Sequence, residues 1–190
     1  NGAGHEDLLK EFVDEDHIVI GTTEDNGAVL GMGHVRRGGT GVTNVGMLVE
    51  DKEGFLPQLK EAFDQCGFNV KIHENIQTLI WDKLFTNVSL SALTGVLQVD
   101  MGYIAANEYA WDLCCQLIHE TVKTAAAAGL NFDEEKVREK VKNTSINNPK
   151  GCTSIRADLR DGRRTEVDTI SGAVVRAAHK YGVEVPGHEC

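Results

Sequence analysis

The stretch from Trp81 to Gln98 constrains the fold more than any other part of the chain. At about 100° per residue, Lys83, Asn87, Ser91, Thr94 and Gln98 fall within a stripe about 80° wide. Trp81, Leu84, Phe85, Val88, Ala92 and Val96 form an apolar arc on one side of that stripe, and Leu79, Leu90, Leu93 and Leu97 form another on the opposite side. A surface helix has one wet face and one dry face. A narrow polar line between two dry flanks predicts instead a helix packed on both sides, with its polar residues along a cleft. A lysine there loses hydration, which lowers its pKa and suits it to handing a proton to a developing alkoxide. The alternative for Lys83 is an ordinary solvated lysine on a helix face.

The texture of the chain changes near residue 75. Before it, His17 to Thr23, Ala28 to Arg36, Gly41 to Leu48 and Phe68 to His73 read as strands, with Arg37-Gly38-Gly39-Thr40 as a turn. Glu53 to Cys66 has helical spacing and stops at Gly67, a natural helix-ending glycine. After residue 75 the pattern is helical throughout. The central helix runs to about Gln98, and another spans Asn107 to Ala128. A short charged helix opens at Asp133-Glu134-Glu135, and Thr153 to Arg160 forms one more. The last helix runs from Arg163 to Tyr181. Asn143 to Cys152 reads as a polar loop. The division predicted is residues 1–75 as an α/β piece and residues 76–190 as an all-helical piece.

Composition narrows the function. The net charge of −10 argues against nucleic acid as a main partner, since phosphate binding needs a basic face. No run approaches the roughly 20 apolar residues that span a bilayer. The five cysteines form no CxxC pair, which fits a reduced cytoplasmic protein. Cys114, Cys115 and His119 share one helix at near metal-ligand spacing, but buried thiols acting as small hydrophobes explain them as well, and no metal is expected. A dinucleotide-binding half needs a strand, then GxGxxG, then a helix. Asn1-Gly2-Ala3-Gly4 and Gly31-Met32-Gly33 both lack the third glycine and read as turns.

Beyond Lys83, Asn87 and Ser91 offer neutral hydrogen-bonding groups one and two turns on, suited either to a bound carboxylate or hydroxyl or to helix packing. Ser154 and Asp158 lie at i, i+4 on the short helix. Ser154 there suits an anion or serves as a plain N-cap. Glu166 follows Arg163-Arg164 in what reads as the first turn of the last helix, where an acid satisfies the dipole.

Taken in order, Trp81-x-Lys83-Leu84-x-x-Asn87-x-x-x-Ser91-x-Leu93-Thr94, Ser154-x-x-x-Asp158-x-x-x-Gly162-x-x-Thr165-Glu166-x-Asp168-x-Ile170-x-Gly172 and Val183-x-Val185-Pro186 closely resemble the ketopantoate reductases (2-dehydropantoate 2-reductases). Asn1-Gly2-x-Gly4 and Gly21-Thr22-Thr23 resemble that family's Asn-Gly loop and following strand, so the likeness covers nearly the whole chain. It implies the end of a Rossmann-type domain followed by an all-α domain similar to the C-terminal domain of 6-phosphogluconate dehydrogenase. It further implies NADPH-dependent reduction of 2-dehydropantoate to pantoate in coenzyme A biosynthesis, in the cytoplasm, by a homodimer acting on a small 2-keto acid without nucleic acid or membrane partners. The family's proton-donating lysine falls on Lys83 and its active-site glutamate, near substrate and nicotinamide ribose, on Glu166. Its substrate-binding residues fall on Asn87, Ser91 and Ser154, and cofactor contacts on Asn1 and Ala28. At Ser91 the family has asparagine, a departure that points to a second reading, reduction of another 2-keto acid. A reading of another class is a non-catalytic helical module that dimerises or binds a metabolite. Since family members begin with the Gly-rich strand-loop-helix, these 190 residues alone are expected to bind NADPH poorly, which titration checks.

Overall fold

This computed structural model describes residues 2–25 and 27–190. The chain divides into two compact units, residues 6–80 and residues 81–190 together with residues 1–5. The division lies inside one helix, between Ile80 and Trp81.

In the first unit, strands β1 (Val19–Thr23), β4 (Val42–Met47) and β5 (Asn69–Ile72) form a sheet in the order β1-β4-β5. β1 runs antiparallel to β4, with Val19 opposite Met47, and β4 runs parallel to β5, with Val42 opposite Asn69. Parallel neighbours need a crossover, and helix α2 (Phe55–Gln65) supplies it. Val45, Met47, Leu56 and Val70 make the core between helix and sheet. α2 ends as its sequence predicts. Gly67 takes a left-handed φ of +85°, Phe68 N–H donates to Phe63 C=O, and the two rings lie 5.5 Å apart, a Schellman ending with its apolar contact.

The predicted strand Ala28 to Arg36 is instead a hairpin of β2 (Gly27–Gly31) and β3 (His34–Arg37). Gly33, at φ +70°, turns the chain, so this glycine punctuates a hairpin where the residues around it favour strand. A short helix α1 (His5–Leu9) and a single 3-10 turn (Glu15–His17) precede β1, which makes that strand shorter than its apolar pattern.

α3 (Ile76–Thr86), a π turn (Asn87–Ser91) and α4 (Ala92–Leu97) make one continuous helix, which belongs to the second unit from Trp81 on. It stops at Gln98, the sole non-glycine residue with positive φ (54°) among the described residues, whose side chain donates to Gly95 C=O at 2.6 Å. Around it stand α5 (Met101–Ala106), α6 (Glu108–Ala127), α7 (Glu134–Asn147), α8 (Ser154–Arg160), α9 (Ser171–Tyr181) and α10 (Pro186–Glu189). The core joins Phe85 and Leu90 to Ile104, Cys114, Ile118 and Val141. Phe85 and Phe132 meet edge to face at 4.8 Å, a geometry that aromatic quadrupoles favour.

Two boundaries differ from expectation. α7 continues through Asn143 to Asn147, because Ser145 is fully buried, donates to Met101 C=O at 2.6 Å and accepts from Ala105 N–H. The last long helix begins at Ser171 rather than Arg163. Gly162 sits at φ +67°, and Arg163 pairs with Asp158 and Asp161 at the turn that ends α8, after which residues 163–165 are irregular and a second turn fills 167–170.

Candidate active site

Lys83, Asn87 and Ser91 sit on the continuous helix built from α3, the π turn and α4. Leu84, Phe85, Val88, Leu90 and Leu93 are all buried, so both flanks of the polar line are dry over this stretch. Lys83 and Asn87 are half-buried and Ser91 is buried. The double burial is shorter than the sequence pattern. Val96 is 80% exposed, Leu97 is exposed, and Gln98 leaves the helix, so the line ends at Thr94.

The π turn coincides with the two candidate substrate residues that bound it, Asn87 and Ser91. Ala92 N–H donates to Asn87 C=O, the five-residue spacing that widens a helix by about one residue per turn. Widening displaces carbonyls from their usual partners, and buried carbonyls need others. Ser89 Oγ donates to Phe85 C=O at 2.6 Å, and Thr94 Oγ1 donates to Leu90 C=O at 2.7 Å. Both side chains are fully buried. Bonding of this kind back along the helix bends it locally.

Thr94 also reaches across to α8. Its Oγ1 lies 2.8 Å from Thr153 Oγ1, and Thr153 accepts from Arg156 N–H, which makes Thr153 the N-cap of α8. Ser154, read from sequence as a possible cap, is therefore the first helical residue, and its side chain is exposed. α4 and α8 also meet at Gly95, where a Cβ would lie 2.5 Å from Ile155 Cγ2. Arg156 forms an ion pair with Asp100, just ahead of α5. Asp158, four residues after Ser154, is turned to Arg163 at 2.9 Å and is a structural ion-pair partner.

Glu166 is half-buried in the turn before α9 and not in a helix. Its carbonyl accepts from Thr169 N–H, Ile170 N–H and Thr169 Oγ1, each at 3.1 Å, which closes the turn. Gly2 and Ala3 lie against the same turn. Ala3 N–H donates to Thr169 C=O at 3.1 Å, and a Cβ on Gly2, at φ +97°, would fall 1.7 Å from that oxygen. Only glycine fits there. Asn1, the neighbouring cofactor candidate, lies outside the described residues. Ala28 belongs to β2 of the other unit and is half-buried.

The cysteine-histidine grouping on α6 does not converge on a ligand. Cys114 lies in the core, where burial pushes its thiol up to about 12 and it packs as a small apolar side chain. His119 Nδ1 points to Glu134 at 2.9 Å.

Sequence reasoning placed Thr94 on the polar line without a role and missed Thr153 and Ser89. Thr153 carried a readable signal, a threonine directly before a helical run, which competed with an equally plausible serine one residue on.

Comparison with known proteins agrees with this architecture. The family described as "Ketopantoate reductase PanE/ApbA C terminal" matches residues 75–190, and "Ketopantoate reductase PanE/ApbA" matches residues 1–50. A 2-dehydropantoate 2-reductase of Streptococcus pyogenes is 28% identical over 187 residues, covering 98% of this chain and 61% of its own length. The Halobacterium salinarum enzyme of the same name is 30% identical over 186 residues with the same coverage. The chain thus spans about three fifths of the length of the curated relatives it matches. Among solved structures, a D-mandelate dehydrogenase complex with NADH superposes with a TM-score of 0.90 at 28% identity, covering all of this chain and 64% of that one. A putative 2-dehydropantoate 2-reductase from Enterococcus faecalis gives 0.78 at 28% identity, covering 61% of that chain. The end of a Rossmann-type domain followed by a helical domain, with family profiles matching both parts, places this chain in the ketopantoate reductase family.

Proposed function

We propose that the protein reduces the keto group of 2-dehydropantoate to give pantoate, using NADPH, in the cytoplasmic pathway to coenzyme A, and that it works as a homodimer. The observation that carries this reading is the polar line Lys83, Asn87 and Ser91 on a helix dry along both flanks, in a chain of the ketopantoate reductase family. Residues 1–75 would be the end of the nucleotide-binding domain and residues 76–190 the substrate domain.

Gly2 and Ala3 pack their backbone on Thr169, in the turn that carries Glu166, and Glu166 is half-buried there, an acid of the kind that accepts from a ribose hydroxyl. By the family resemblance Asn1 and Glu166 would contact the cofactor, and Ala28, in the other unit, is a separate candidate for it. When bound, the nicotinamide supplies the hydride for the keto carbon. Lys83 gives its ammonium proton to the carbonyl oxygen as negative charge develops on it, and recovers a proton afterwards. Asn87 and Ser91 would bind the substrate hydroxyl, Ser154 its carboxylate, and Glu166 would orient the substrate. The half-buried setting of Lys83 raises the worth of that charge relative to water.

Lys83→Ala in the full-length protein is expected to lower kcat by about 10²- to 10⁴-fold with an unchanged thermal melt. Near-normal turnover would exclude Lys83 as proton donor. A second reading, reduction of another 2-keto acid, rests on Ser91, where the family's asparagine is replaced by a shorter side chain, while the relatives' names support 2-dehydropantoate. Comparing kcat/KM for 2-dehydropantoate with that for arylglyoxylates and smaller 2-keto acids separates the two readings.

A further inference from the structure

We infer that the buried hydroxyl pair Thr94–Thr153 is a positioning device that sets Ser154 against the π turn bearing Ser91, and so spaces two substrate contacts carried on different helices. The inference rests on the substrate roles proposed above for Ser91 and Ser154.

Three features support it. The pair is buried, with Thr94 at 0% and Thr153 at 9% exposure, so neither hydroxyl can turn to water for an alternative partner. Its bonds form a chain with a single donor order that satisfies every group. Arg156 N–H donates to Thr153 Oγ1, Thr153 O–H to Thr94 Oγ1, and Thr94 O–H to Leu90 C=O. One end of that chain is the start of α8, one residue from Ser154. The other end is the π turn, where Thr94 Oγ1 also lies 3.3 Å from Ser91 C=O.

The adjacent contact removes the freedom to slide. Gly95 lies against Ile155, with room for no Cβ between them. Thr94 facing Thr153 and Gly95 facing Ile155 are successive contacts along both helices, so together they lock the register of α4 on α8. Thr153 therefore has two tasks at once, capping α8 and tying it to the polar line. A cap alone would need no partner 59 residues away.

The test uses isosteric variants of the full-length protein. Thr153→Val and Thr94→Val each remove a hydroxyl while keeping the volume, and Thr153→Ser keeps the hydroxyl. The expected result is a rise of roughly tenfold in the KM for the 2-keto acid in either valine variant. kcat stays within about twofold, since it reports Lys83 chemistry, and so does the NADPH KM, since none of the proposed cofactor contacts lies on α4 or α8. Thr153→Ser keeps the wild-type KM, and the double valine variant is no worse than Thr153→Val alone, because one linkage has been cut twice. A wild-type KM in both single variants, or additive effects in the double variant, would overturn the inference.

Amide hydrogen exchange keeps the question separate from the proposed reaction. Faster exchange at residues 87–91 and 154–157 in both single variants supports the linkage, whatever the substrate. Exchange altered only beside the substituted residue refutes it. If the wild type reduces no 2-keto acid, or if Ser154→Ala leaves the KM unchanged, the substrate reading fails, and exchange alone decides whether the pair couples the two elements.

Discussion

At the scale of single residues, the molecule depends on places where a side chain is missing or a hydroxyl has only one way to point. Gly95 is the clearest of the first kind. Alanine would favour the helix by about 1 kcal/mol, yet its Cβ would stand 2.5 Å from Ile155 Cγ2. Ile155 is buried and β-branched, and a branched side chain in a helix has one strongly preferred rotamer. Overpacking of this kind costs about 1–3 kcal/mol, so Gly95→Ala is expected to destabilise by about 1 kcal/mol net and to lower the melting temperature by roughly 2–4 °C. A melt at or above the wild-type temperature would mean that α8 moves aside easily, and would weaken the register argument for Thr94 and Thr153 as well.

At the scale of elements, each helix end has its own solution. α6 and α7 use side-chain caps, Asn107 accepting from Ala110 N–H and Asp133 from Lys136 N–H. α2 does not. Its N-cap position is Gly54 in a left-handed conformation, and the free amides are met from further upstream, where the two carboxylate oxygens of Asp51 accept from Phe55 N–H and Leu56 N–H at 2.8 Å each. A negative charge there also complements the helix dipole. Asp51→Ala is expected to cost about 1–2 kcal/mol, read as a lower denaturant midpoint with an unchanged slope. An unchanged midpoint would show that water replaces the carboxylate without loss.

At the scale of the whole molecule, α10 is fastened to α6 within the helical unit. The buried carboxylate of Glu120 on α6 accepts from Gly187 N–H and His188 N–H, and His188 Nε2 lies 2.9 Å from Thr121 Oγ1 and 3.1 Å from Leu117 C=O. Burial lowers the His188 pKa, with the Leu117 carbonyl and the Glu120 charge opposing it in part. The folded state therefore binds this proton less readily than the unfolded chain, whose value is about 6.5. Stability from this group is complete above that pH and is lost as pH falls through it towards the lower folded value. The melting temperature is thus expected to drop between pH 7.5 and pH 5.5, and His188→Gln should flatten that part of the profile. A wild-type melt independent of pH over this window would overturn the assignment.

The amino-acid sequence by itself determined what depends on near neighbours. The βαβ unit from Val42 to Ile72, the glycine ending at Gly67 and the helix carrying Lys83, Asn87 and Ser91 follow from periodicity and capping, which act over a few residues. The order and spacing of the residues around Lys83, Ser154 and Glu166 were enough to indicate the family. Tertiary structure decided the rest, because partners distant in sequence supplied the deciding bonds. Ser145 keeps α7 helical by donating to Met101, 44 residues away. Thr153 rather than Ser154 caps α8 because Thr94 meets it. The turn at Glu166 exists where a helix pattern ran on, backed by Gly2 and Ala3. The π turn at Asn87–Ser91 has no periodicity of its own to reveal it. Its widened spacing is sustained by the buried hydroxyls of Ser89 and Thr94, and burial is a property of the packed molecule rather than of the residues that undergo it.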